Sequence, residues 1–159
     1  MAFNGNKMCT SFKRELLEGV HNFKASGGGA FHLALYTNSA AGTNFGGSSS
    51  DMDETITNYA TNNEVTGTGY APKGQPLTRI DPAVGGTTAY TTFDNTSSIW
   101  QSSTITARGA IIFNDTPTTP QADPAVIVLD FVSDKSSSSG DFKVVFPTAA
   151  AGSAIIRIA

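Results

Sequence analysis

Ala125–Ser133 (AVIVLDFVS), Phe142–Pro147 (FKVVFP) and Ala154–Ala159 (AIIRIA) are three apolar runs that close the chain, and their reading decides the fold. They are short, rich in Val, Ile and Phe, and separated by polar connectors, which is the pattern of strands rather than helices. Ser136–Ser139 before Gly140 reads as a flexible hairpin tip between the first two. Nothing follows Ala159, so the chain is expected to spend its C-terminus as a core strand.

The same pattern extends backwards. Thr104–Asn114 (TITARGAIIFN) is the longest strand candidate, with Ile105, Ala107, Gly109, Ile111 and Phe113 on one face at a period of two. Asp115 to Pro124 contains three prolines and must be loop. Ser98–Gln101, carrying Ile99 and Trp100, reads as a short edge or entry strand. Thr87–Phe93 and Gln75–Ile80 are shorter strands, with Asp81-Pro82 and Gly85-Gly86 as turn residues between them. In Ala30–Thr37 (AFHLALYT), Phe31, Leu33 and Leu35 alternate with His32, Ala34 and Tyr36. Seven to nine short strands with turn signals predict an antiparallel β-sandwich or jelly-roll-like barrel, since a parallel sheet needs a helix between strands.

One helix is expected, over residues 10–20, with Thr10-Ser11 as its cap and Gly19 near its end. Met8, Phe12, Leu16, Leu17 and Val20 would form its apolar face. Residues 38–63 are polar and too long for an ordinary connector, which predicts a long loop or arm with a helical turn around Asp53–Ala60 and makes it a leading site for contacts. The 159 residues fit a single β-rich domain, 1–159, long enough to bury a core without staples.

Charged residues make up only 14% of the chain, well below the roughly 25% of average soluble domains. Such a surface repels its neighbours weakly and suits a protein packed among others. The net charge of −3 and the scatter of the ten basic residues argue against a nucleic-acid surface. One cysteine, Cys9, excludes an internal disulfide and reads as a packed thiol in or near the helix, in keeping with assembly in a reducing cytoplasm. No apolar stretch approaches the roughly 18 residues of a membrane span and no signal core opens the chain, so neither membrane nor export is expected.

Chemistry is sparse. His21 and His32 are the only histidines; His21 lies at a helix end, where the dipole favours a cation, and His32 alternates with core residues. Asp51-Met52-Asp53-Glu54 matches only the first two acids of a calcium loop and reads as a solvated acidic loop. Gly67-Thr68-Gly69 with Lys73-Gly74 lacks the phosphate-loop spacing, leaving turn glycines. Asp130 sits inside an apolar strand, where Arg108 is a better ion-pair partner than Glu64 is a catalytic one. Trp100, Tyr90 and Tyr70 are an alternative sugar platform, weighed against core packing. No catalytic, cofactor-binding or metal-binding residue is assigned, no cofactor is called for, and the chain is not expected to be an enzyme.

SFKRELLEGVHNF (Ser11–Phe23) followed by FHLALYTNSA (Phe31–Ala40), YATNNEVTGTGY (Tyr59–Tyr70), WQSSTITARGAIIFN (Trp100–Asn114), VLDFVSDKSSSSGDFKVVFP (Val128–Pro147) and the closing AIIRIA (Ala154–Ala159) resembles, in that order, a family of small virion structural proteins of tailed bacteriophages. The resemblance implies a decoration or cement protein on the capsid surface that binds major capsid protein subunits and itself as a homo-oligomer, with no nucleic-acid or membrane partner. A tail, neck or fibre-associated virion protein and a carbohydrate-binding module are the alternatives. The family supplies no active-site motif.

Overall fold

A computed structural model describes residues 3–42, 45–46, 51–119 and 121–159. In chain order the elements are β1 (Lys7–Met8), α1 (Thr10–Leu17), β2 (Phe31–Tyr36), β3 (Gln75–Leu77), β4 (Ala83–Gly85), β5 (Thr88–Thr91), β6 (Ile99–Asn114), β7 (Ala125–Lys143) and β8 (Ile156–Ile158). They form two antiparallel sheets in a sandwich-like arrangement, one in the order β1–β7–β6–β2–β3 and a smaller one in the order β4–β5–β8. The fold is mainly β with one short helix, as the sequence pattern predicts.

β6 and β7 form the spine, and here the segmentation differs from the expected one. Ile99–Gln101 of the expected strand Ser98–Gln101 and the whole of Thr104–Asn114 are parts of one strand, kinked where Ser102 takes φ 48° and the register shifts between Trp100 and Ser103. Ser136–Ser139 is not a hairpin tip but the middle of the 19-residue β7, which joins Ala125–Ser133 to Phe142–Lys143. A hydroxyl ladder holds this polar stretch in the sheet. Ser137 bonds Ser103 at 2.7 Å, Ser136 bonds Thr106 at 2.8 Å, and Ser139 donates its N–H to Thr104 Oγ1 at 3.0 Å. Cross-strand Ser/Thr pairs of this kind supply the specificity that apolar side chains provide elsewhere in a strand.

The chain does not stay in this sheet to its end. Asn95 clamps the Phe146 backbone, accepting its N–H at 2.5 Å and donating to its carbonyl at 3.0 Å, while Thr92 donates to the Pro147 carbonyl. The expected strand at Phe142–Pro147 therefore stops at Lys143, and the chain crosses to the smaller sheet. There the closing strand is Ile156–Ile158, paired with β5 rather than with β7. The hairpin strand β4, which sequence reading passed over, turns at Gly85-Gly86 into β5. Gln75–Ile80 and Thr87–Phe93 shorten to β3 and β5.

α1 ends three residues before the expected Val20 because a C-terminal turn closes it. Gly19 takes φ +72°, Val20 N–H bonds the Glu15 carbonyl at 2.9 Å, and Gly19 N–H bonds the Leu16 carbonyl at 3.2 Å. At its start Cys9 holds the cap position without a side-chain hydrogen bond, so Thr10-Ser11 is not the cap. The expected apolar face is also corrected. Phe12 and Glu15 are fully buried, Leu16 packs beside them, and Leu17 is 91% exposed. Helical geometry turns residue 17 some 140° from residue 12. Glu15 takes the inward position because its carboxylate is fully hydrogen-bonded there.

One core joins the layers. An aromatic seam runs from Phe12 through Phe23, stacked on Phe31 at 4.4 Å, to Phe93 at 5.5 Å and Phe146 at 5.7 Å. Gly109 lets Phe3 pack closely on β6: a Cβ there would meet the Phe3 ring at 2.4 Å and the Leu129 carbonyl at 2.5 Å. The described part of 38–63 lies against this core rather than away from it, with Ala40, Phe45, Met52, Ile56 and Tyr59 buried. Residues 53–56 make a hydrogen-bonded turn and no helix forms around Asp53–Ala60. Residues 43–44 and 47–50 of that stretch lie outside the described residues.

Candidate interaction surface

Three polar clusters gather the chemistry-bearing residues, and each is occupied with holding chain segments together. The first joins β6 to β7. Arg108 is salt-bridged to Asp130, whose carboxylate also accepts the N–H groups of Gly5 at 3.1 Å and Val132 at 2.7 Å. Burial works to raise this carboxyl's pKa, but the Arg108 bond and the two amides outweigh it and hold it below its ordinary value. The ion pair expected from the sequence is present.

The second lies under α1. Glu15 Oε2 meets His21 Nε2 at 2.8 Å, Gln121 Nε2 donates to Glu15 Oε1 at 3.1 Å, and Asn114 Nδ2 lies 3.2 Å from His21 Nδ1. A neutral imidazole with its proton on Nε2 satisfies every member: it donates to Glu15 and accepts from Asn114. His21 is thus not the dipole-favoured cation expected at a helix end. Burial lowers its pKa, against the opposing pull of Glu15. Its contribution to stability is complete above the ordinary value of 6.5 and is lost as the pH falls from there through the lower folded value. We expect the thermal midpoint to drop between neutral pH and pH near 5, and the drop to shrink in His21→Gln. An equal drop in that variant would assign the acid sensitivity elsewhere.

The third cluster was invisible in local spacing. Lys73 is salt-bridged to Asp115 and, at 3.2 Å, to Asp123 Oδ2, residues 42 and 50 positions away. Its ammonium lies 5.8 Å from the Tyr59 ring centre and 5.9 Å from that of Phe113. His32 Nε2 approaches Asp115 at 3.7 Å. The bonds to Asp115 and Asp123 raise the Lys73 pKa, and burial together with the neighbouring Asp115 raises that of Asp123. Glu64 continues the network, accepting from Tyr59 at 2.6 Å, Tyr70 at 2.8 Å and the Lys73 amide at 2.8 Å. Two aspartates, a lysine and a histidine are the residue types of acid–base chemistry, but here the cation sits between the carboxylates and fastens the 115–124 loop to residues 59–73. Glu64 spends its carboxylate on these three donors, and the Arg108–Asp130 pair is made without it.

The remaining candidates fall into structural places. Trp100 is 1% exposed and stacks on Tyr70 at 5.8 Å, whereas Tyr90 belongs to the other sheet, so the three do not form one platform. Asp53 caps its own turn through Thr55, and Glu54 pairs with Lys7 at 3.7 Å. Gly67, Gly69 and Gly74 all take positive φ in turns. Burial pushes the Cys9 thiol up to about 12, with Glu15 adding to the shift. Among the described residues no group of three or more His, Cys, Asp and Glu could hold a metal ion, and no helix is long and apolar enough to cross a membrane.

Five large apolar side chains also face outward. Leu17, Val84, Val132, Val145 and Ile158 are between 56% and 91% exposed, on α1, on both edges of the smaller sheet, on β7 and beside it. Where residues 144–155 leave β7, a groove of about 770 Å³ opens, floored by Leu129, Phe131, Phe142, Val144 and Ile155. Lys135, Lys143, Asp130 and Asp141 stand around it. No family model, curated protein or solved structure matches the chain.

Proposed function

We propose that the protein is a structural component of a tailed-phage particle, a homo-oligomer that decorates or cements the capsid shell by binding major capsid protein subunits. The observation that carries this reading is the pairing of spent chemistry with unspent surface. Asp115, Asp123, Glu15, Glu64 and Asp130 all serve as internal braces. By contrast, five large apolar side chains on separate elements remain in water. The groove beside β7, with exposed Val145 on its lining, is the contiguous apolar surface that marks a contact site. The ordered resemblance of nearly the whole chain to phage virion proteins supports the same role, as does the low charge.

Function by packing has a direct physical effect. A clip that binds only the assembled shell stabilises it by mass action, and many copies multiply the effect. Particles assembled without the protein should therefore release their DNA at a lower temperature than complete particles, and adding it back should restore the difference. Equal heat stability of both would remove the cement role.

A further inference from the structure

We propose that the groove beside β7 and the free edge of that strand together dock one extended segment of a neighbouring shell chain, apolar at alternate positions and carrying a carboxylate. The proposal rests on the shell reading and adds the partner chemistry to it.

The edge comes first. β1 pairs with β7 only at Ile127 and Val128, and the Asn6 side chain takes the N–H of Asp130 at 2.8 Å. Beyond that point no described strand covers this edge of β7. Positive φ at Val132 (69°) and Ser139 (50°) kinks the strand at both ends of the stretch 133–138. An uncovered edge on a long strand invites uncontrolled pairing, and bulges and lysines restrain it. Here they leave a window of about 20 Å, enough for a short added strand and too short for two whole sheets to zip together. Four serines in the window keep its side chains small, so another backbone could approach closely.

The groove supplies the side-chain pockets such a strand needs, since successive residues of an added strand alternate between the groove and solvent. Asp130 is neutralised by Arg108, while Asp141 accepts the Ser102 N–H at 3.0 Å and keeps its charge. Among the described residues Lys135 has only the Ser133 hydroxyl at 2.9 Å, whereas Lys143 lies near Asp94, on whose carboxylate it acts. Lys135, a cation with no carboxylate partner beside an apolar floor, favours a partner segment that brings an acidic group. A lipid-like carboxylate shares that chemistry, but it would leave the backbone groups of the edge unpaired.

The test is selection of a random linear peptide library on the purified full chain. Enriched peptides should alternate apolar residues and include Asp or Glu, and their binding should slow hydrogen exchange at the 133–138 amides. Lys135→Glu should weaken them by about tenfold or more through charge reversal, at an unchanged melting temperature because its side chain is exposed. Selection of basic peptides, of peptides that leave 133–138 unprotected, or of none would overturn the proposal. So would laurate filling the groove and displacing the selected peptides without protecting those amides, which would assign an amphiphile site instead. Because the selection uses isolated protein, peptide capture by a chain missing from particles would refute the shell reading and leave the docking site standing.

Discussion

Asp130→Ala should cost about 3–5 kcal/mol of unfolding free energy at neutral pH, the expected loss when one partner of a buried ion pair is removed. Arg108 keeps 7% and Asp130 11% side-chain exposure, so each charge would be left largely out of water when its partner is gone. Asp130 also organises backbone from three places, through Gly5, Val132 and, by way of its own N–H, Asn6. Arg108→Ala should cost a comparable amount, and the double variant should cost clearly less than the sum, which denaturant titration of the four proteins would measure. Additive costs would mean that the two side chains act independently. The pH sign follows from the lowered carboxyl pKa: the contribution is whole above the ordinary value of 3.8 and is lost as the pH falls through the folded value.

Trp100→Ala should be similarly severe, by about 3–5 kcal/mol, because it empties the largest fully buried side chain between Tyr70 and Phe142. Trp100→Phe should cost less than half as much, since the indole N–H has no hydrogen-bond acceptor to lose. Thermal and denaturant unfolding of both variants would check the contrast. A stable Trp100→Ala protein whose only defect is lost glycan binding would instead place the ring at a sugar site.

The strands that were legible in the sequence are those where burial imposes a period or a continuous apolar run. Ala30–Thr37, Thr104–Asn114 and Ala125–Ser133 all lie within or around strands of the larger sheet. Ser136–Ser139 misled because local composition reports flexibility, while the hydroxyl partners Ser103 and Thr106 lie more than 25 residues away. The helix face misled for a related reason. Leu17 looks like core and Glu15 like surface until His21 and Gln121 arrive from elsewhere to satisfy the carboxylate. The Arg108–Asp130 pair could be anticipated, since two charges inside neighbouring apolar strands need each other. The Lys73 clamp could not, because its aspartates sit in a proline-rich loop with no pattern to mark them. The groove was equally hidden, as it lies between β7 and the later segments 144–147 and 153–155, the first of them held by Asn95 from elsewhere in the chain.

The central claim is that this chain works by lying against many identical neighbours. Quantifying it against the major capsid protein in purified particles tests that most directly. The account predicts roughly hundreds of copies per particle, in simple ratio to the shell subunit, as closed symmetric assembly requires. Six to a few dozen copies would move it to the tail or neck, and its absence from mature particles would contradict the claim outright.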